Sequence, residues 1–404
     1  MLRSLAGFIV LPLVSAAAPM LALPAVTSTH GAAGWGAIAV GQSVGVGAAV
    51  VVEMGWSLTG PQQVSAMTPA ARGELFFHAL RTKLIVLTLV SPLALALVWV
   101  MASGFPLAAA FSCAAMCLGG LTCNWYFIGA SRPGLILLSD VLPRLAATAG
   151  GAFVLVAMHA SLVWFALIMT AGYASSVVIA CAIVGRGPTG GGLGMSLRAT
   201  FRAQRTAVLG RGVSTIYIGL PVAIVQAVAP AAVPTFAAAD RIVRFGLLML
   251  QSVPNALQHF VGSAASDRWL HRQRMVATLV MQAALGLLAG FAAMGLIPGL
   301  ANALFSNTVH VGWELSTAAA CIVALTCFSR ATGLCLVALD SVGSILASAV
   351  TAAVVAIVAI PLLAGAYGAT GAMLGLACAE AAALGVQCVA LAGAWHKPGS
   401  AQAR

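Results

Sequence analysis

Charged side chains are scarce in this 404-residue sequence, at 7% against about 25% in an average soluble domain. Acidic ones are scarcer still, with only eight Asp and Glu in all. Water is therefore excluded as the main solvent of the folded chain. Nothing resembles a nucleophilic triad, a paired-carboxylate active site or a zinc set, and seven scattered histidines do not supply one. The sequence is accordingly read as a non-enzyme, with no cofactor and no metal expected. Long polar stretches are missing too, so no segment is left over to form a soluble domain.

What fills the chain is apolar sequence, 61% of all residues. Runs of around 20 apolar residues recur from end to end, each long enough to cross a hydrocarbon core of about 30 Å. Reading these against the short polar breaks predicts twelve transmembrane helices near 5–26, 36–59, 81–103, 107–129, 135–157, 161–184, 212–229, 240–265, 275–297, 314–339, 341–364 and 369–395. Arg3, an apolar run and Ala16-Ala17-Ala18 imitate a secretory signal. The run continues to Val26, however, and Pro19 follows the only plausible cleavage point, so Met1–Val26 is read as the first span. Nine cysteines all fall inside apolar runs; without His or carboxylate beside them, they read as buried thiols acting as small apolar residues.

Fifteen of the 19 Lys and Arg fall in alternate breaks, on one side of the predicted membrane. That asymmetry places both termini in the cytoplasm of a multi-pass protein of the bacterial inner membrane and requires an even helix count. It also accounts for the net charge of +11 through anionic lipid, with no nucleic-acid partner inferred. The longest break, 185–211, divides the chain six helices and six. The expected organisation is an N-terminal six-helix bundle at 1–184, a cytoplasmic basic linker at 185–211, a C-terminal six-helix bundle at 212–395 and a cytoplasmic tail at 396–404. The linker opens Gly185-Arg186-Gly187-Pro188-Thr189-Gly190, but no Lys-Ser/Thr follows the second glycine of the phosphate-loop spacing, so it reads as a flexible connection. Its basic second half, Ser196–Leu209, reads as a segment lying on the inner membrane surface. Two six-helix bundles around a central cavity are a common transporter plan.

An ionisable group at the bilayer centre costs roughly 2.5–3.5 kcal/mol, so each needs a partner or an aqueous cavity. The candidates are Glu53, Asp140, Arg144, Asp240, Arg241, Arg244, Arg330, Asp340 and Glu380. At 100° per residue, Asp240, Arg241, Arg244, Gln251, Asn255, Gln258 and His259 of helix eight fall in one arc of about 100°. The arc reads as the wall of a wet substrate cavity; the alternative is a polar seam between helices with the arginines snorkelling outward. Pro254 in the same helix predicts a kink. Glu53 reads either as an ion-coupling group or as a carboxylate solvated at the cytoplasmic helix end. Asp140 and Arg144, at i and i+4, are expected to neutralise each other. Arg330 requires a partner, with Glu380 or a bound anion as the choices. Glycine pairs Gly41/Gly45, Gly286/Gly290 and Gly371/Gly375 predict close helix packing.

Three stretches then carry a resemblance. These are Ala37–Ser43 through Glu53-Met54-Gly55-Trp56 to Ser65, Asn124-Trp125-Tyr126-Phe127-Ile128-Gly129, and Ala238-Ala239-Asp240-Arg241-Ile242-Val243-Arg244. They resemble the second helix, the end of the fourth and the start of the eighth in the polysaccharide and O-antigen flippases of the multidrug/oligosaccharidyl-lipid/polysaccharide (MOP) exporter superfamily. The sequence departs from that family in Ala25–His30, where an arginine is usual, and at Ile128, where glutamine is common. The resemblance implies a flippase that translocates a polyprenyl-pyrophosphate-linked oligosaccharide to the periplasmic leaflet by alternating access, for surface or exopolysaccharide biosynthesis. A polymerase and glycosyltransferases of the same pathway are the implied partners. The alternatives are an ion-coupled multidrug or metabolite antiporter on the same fold, and a membrane-embedded glycosyltransferase or polymerase. The first would favour carboxylates over the net cationic arc; the second would bring a large extramembrane loop, and no outer break exceeds about twenty residues.

Overall fold

The computed structural model describes residues 2–102, 104–185, 197–251, 253–254, 257, 260–261, 268–339 and 341–395. Helix is the only regular structure among them, and eight helical segments are long and apolar enough to cross a membrane. The chain is thus built as an all-α multi-pass membrane protein, in which each backbone polar group is satisfied within its own segment. In order the helices are α1 (Leu2–Glu53), α2 (Trp56–Ala66), α3 (Pro69–Met101), α4 (Pro106–Gly119), α5 (Asn124–Gly129), α6 (Pro133–Ile136), α7 (Leu142–Ala157) and α8 (Leu162–Val184). Then come α9 (Leu197–Ile218), α10 (Pro221–Val228), α11 (Val233–Met249), α12 (Arg268–Leu304), α13 (Trp313–Ala338) and α14 (Val342–Trp395).

Two of these are too long to be single spans. An unbroken α1 of 52 residues would reach about 78 Å, more than twice the hydrocarbon core. Gly31, at φ 65 and ψ −169, breaks it into two arms using backbone angles that only glycine adopts freely. In α14 the break is at Tyr367 and Gly368, and Gly371 and Gly375 of the second arm lie against Leu363 and Ile360 of the first, so the helix doubles back. With both divided, each of the twelve predicted spans has helix.

Lipid, not water, covers the outside. Leu89, Leu93, Leu97 and Val100 of α3 are 51–85% exposed, and Leu287, Leu288 and Phe291 of α12 are 68–75% exposed, stripes that only hydrocarbon would accept. Cys321 and Cys378 also face outward, which corrects the expectation that every thiol is buried: α13 and α14 turn those faces away from their neighbours. The interior is closed by small residues. A Cβ at Gly45 would stand 2.6 Å from the carbonyl oxygen of Cys113, and one at Gly41 would strike that of Ala109, so α1 and α4 touch backbone to backbone. Gly286 and Gly290 meet Ala324 and Ala320 on α13 in the same way.

The chain divides into two compact units, Met1–Ala227 with Leu304–Thr308, and Val228–Ala303 with Val309–Arg404. The division falls between Ala227 and Val228, at the last residue of α10, so α9 and nearly all of α10 count with the first unit. The cause is local packing. Gln226 donates to the carbonyl of Met101 at 2.7 Å, and Ser43 donates to that of Gly219 at 2.7 Å, so α9 and α10 are fastened to α3 and α1. The second half of the expected flexible linker is also helical, because Leu197–Leu209 consists largely of good helix formers. Residues 186–196 and the expected tail at 396–404 lie outside the described residues. In the first unit Phe305 is fully buried against Trp35 at 5.4 Å, while Ser306 donates to the carbonyl of Pro24 at 3.3 Å.

Candidate functional site

In the second unit, α11, α13 and α14 bring four of the predicted charges together. Arg244 donates through Nε to Asp240 Oδ2 at 2.7 Å, one helical turn apart on α11. Glu380 of α14 lies in electrostatic range of both Arg244 and Arg330. Arg330 of α13 donates through Nη1 to the carbonyl of Leu247 at 2.9 Å. The sequence left Glu380 and a bound anion as choices for Arg330; this carbonyl is a third partner that composition does not reveal. Arg241 lies on the same helix with its Nε buried.

The Leu247 carbonyl is accessible to Arg330 because α11 stops early. A helix running through 240–265 would have used that carbonyl for the Gln251 N–H. Here the Gln251 N–H bonds Leu248 at 3.1 Å and the Val253 N–H bonds Leu250 at 3.2 Å, a tightened turn. Pro254 follows this turn, and its nitrogen has no hydrogen to give the Leu250 carbonyl, which the Val253 N–H takes instead. Two expectations are corrected. The helix begins at Val233, so Asp240, Arg241 and Arg244 sit in its middle and not at its start, and the arc does not continue unbroken to Gln251. Asn255, Gln258, His259 and Asp340 lie outside the described residues. Arg244 is thus paired along its own helix, and Arg330 is bound to backbone of the neighbouring one.

The first unit holds a separate buried network. Asp140 Oδ2 accepts from Arg144 Nη1 at 3.2 Å and from Asn124 Nδ2 at 2.9 Å. Arg144 also donates to Tyr173 Oη at 2.9 Å and lies 4.5 Å over its ring, joining α7 to α8. Asp140 stands in a π-turn, Leu137–Val141, where the Leu142 N–H reaches back five residues to Leu137. Pro143 lacks the N–H that the Ser139 carbonyl would otherwise take, and the ladder shifts around it. Glu53 is the last residue of the second arm of α1, half-buried, followed by Met54 and Gly55 with φ of 54 and 74. It therefore closes a helix, where the predicted span ran on to 59.

Sequence reasoning missed Lys83. Counted there only among the cations that set the topology, it is 1% exposed, donates to the carbonyl of Thr122 at 3.1 Å and lies 5.9 Å over the Trp125 ring. It thus holds the α4–α5 break with a charge at carbonyl ends. Gln387 of α14 was also missed: it accepts from Ser329 and Thr332 of α13 and donates to Ser348 at 3.2 Å. Neither carries a sequence signal beyond a polar residue within an apolar run. The first two family-like stretches, by contrast, pack against each other. Trp56 meets Trp125 at 5.1 Å, and Gly129 is tight against the carbonyl of Pro61. Two grooves of about 380 and 460 Å³, one in each unit, are lined mostly by apolar residues and hold none of the predicted site residues.

The backbone course matches solved transporters. The inward-facing conformation of a multidrug resistance MATE family transporter of the MOP superfamily superposes with a TM-score of 0.67, at 15% identity, over 96% of both chains. The lipid II flippase MurJ in an inward closed conformation gives 0.61, at 10% identity, over 97% of this chain and 88% of that one. A MOP superfamily transporter from Pyrococcus furiosus, whose reverse-polarity binding pocket is taken to suggest a different function, gives 0.57 at 13% identity, over 98% and 97%. No family profile and no curated protein sequence matches. The fold is therefore that of MOP superfamily transporters.

Proposed function

We propose that this protein is a membrane transporter that flips an anionic cargo, a polyprenyl pyrophosphate bearing an oligosaccharide, from the cytoplasmic to the periplasmic leaflet of a bacterial inner membrane. The observation that carries the reading is the charge cluster in the interior of α11, α13 and α14, apart from the exposed Glu314 in the first turn of α13: three arginines, Arg241, Arg244 and Arg330, against the two carboxylates Asp240 and Glu380. A surplus cation inside a spanning unit is expensive, and a bound anion offsets it. Planar guanidinium forks match pyrophosphate oxygens, and Gln251, with Asn255, Gln258 and His259 further along the chain, offers amides and an imidazole to sugar hydroxyls. The likeness to a lipid II flippase supports a lipid-linked cargo, and two separately packed units support alternating access. Glu53 is the candidate ion-coupling group. The cargo's chemistry implies glycosyltransferases before this step and a polysaccharide polymerase after it.

A second reading is export of small organic molecules, favoured by the likeness to a multidrug resistance transporter. One experiment separates the two. Arg241→Gln/Arg244→Gln, expressed at parental level in a strain lacking the protein, is expected to abolish surface polysaccharide. Normal polysaccharide, with altered drug susceptibility instead, would favour the second reading. Glu53→Gln retaining full gradient-dependent flipping in liposomes removes the coupling role.

A further inference from the structure

Among the contacts of helix α9 with the rest of the first unit are two buried polar side chains. Thr200 is 3% exposed and hydrogen-bonds His78 of α3 at 2.8 Å; Gln204, 2% exposed, exchanges hydrogen bonds of 2.9 and 3.0 Å with Thr59 of α2. These contacts fix how the helix is rotated. Thr200 and Gln204 lie about 40° apart around its axis, while Arg198, Arg202 and Arg205 fall in an arc of about 60° on the opposite side. All three arginines are exposed. Phe201 flanks them and is exposed, as is Leu58 beside Thr59. Arg81, also exposed, lies in electrostatic range of His78 and adds a fourth cation near the seam. No acid occurs between Asp140 and Asp240 in the sequence, so nothing on α9 neutralises this face.

Cations interleaved with exposed apolar side chains fit the boundary between lipid headgroups and acyl chains, and fit poorly to water alone. A segment that only set topology would need the charges but neither the fixed rotation nor the apolar flank. We propose that the outward face of Leu197–Arg205 binds anionic phospholipid headgroups. Arg198, Arg202 and Arg205 take the phosphates, and Phe201 and Leu58 enter the upper acyl layer. This contact is separate from cargo recognition and holds for either transport reading.

The test uses the purified full-length protein in neutral detergent, titrated with phosphatidylglycerol or with phosphatidylcholine of the same acyl chains, and native mass spectrometry to count bound lipid. Phosphatidylglycerol is expected to bind more tightly, with a preference that falls as salt rises. Arg198→Gln/Arg202→Gln/Arg205→Gln should weaken it by about five-fold per arginine while leaving phosphatidylcholine unchanged. The corresponding triple Lys variant should keep the preference, since a mobile headgroup needs a point charge more than a rigid fork. If the triple Gln variant does not fold, the three single variants carry the same test. Undiminished phosphatidylglycerol binding in the Gln variants, or no preference in the parent protein, overturns the proposal.

Discussion

Arg330 holds the carbonyl of Leu247 at 2.9 Å, filling on α13 the acceptor that α11 leaves open where its hydrogen-bond ladder tightens ahead of Pro254. An arginine from a distant stretch of the chain thus supplies a donor to the last turn of α11. Loose carbonyls at a helix end inside a membrane must find donors, and a guanidinium supplies several.

Removing that arginine should therefore unfold more than a contact. Arg330→Leu is expected to destabilise the protein by about 3 kcal/mol, because it orphans a carbonyl and strips a counter-charge from Glu380. Thermal unfolding in detergent measures it. Arg330→Leu/Glu380→Gln should lose less than the sum of the single variants, since the two charges interact; strict additivity would count against the coupling.

Glycine positions should divide sharply. Gly41→Val forces a side chain into the Ala109 backbone and is expected to cost more than about 3 kcal/mol or prevent folding altogether. Gly73→Ala enters open space on α3 and should be neutral or slightly stabilising. Size-exclusion profiles of the two variants make the comparison.

At the first-unit network, Tyr173→Phe removes one hydrogen bond to Arg144 but keeps the ring beneath the guanidinium, and is expected to cost about 1–2 kcal/mol. Asp140→Asn should cost more, because it leaves Arg144 as a buried cation without its carboxylate. If the order of melting temperatures is reversed, Tyr173 and not Asp140 is the main anchor.

Thr59→Val should release α9 at the polar anchor that Gln204 provides. Hydrogen exchange over residues 197–205 is expected to quicken while α3 and α4 stay protected. Unchanged protection would place the anchoring elsewhere.

Much of this architecture was legible in the sequence because a bilayer imposes a simple rule: length and hydropathy of each run decide whether it spans. The glycine pairs were legible for a related reason, since two glycines one turn apart on an apolar helix have little use except close approach. Asp140 and Arg144 were readable as a pair because their separation along one helix sets their distance. Where a partner came from another helix, the reading failed. Lys83 counted only toward the topology, and nothing near it in sequence announces the Thr122 carbonyl or the Trp125 ring.

By itself, then, the sequence determined that this chain is helical, crosses a membrane many times and carries a cationic surplus on its eighth span, since each follows from composition and from spacing along one segment. The tertiary structure alone decided that α9 and α10 join the first unit, that Arg330 serves a backbone carbonyl, and that Glu380 lies in electrostatic range of Arg244 and Arg330. Those are relations between segments far apart in the chain. Every apolar helix looks alike to its neighbours until packing brings a particular polar group within reach of another.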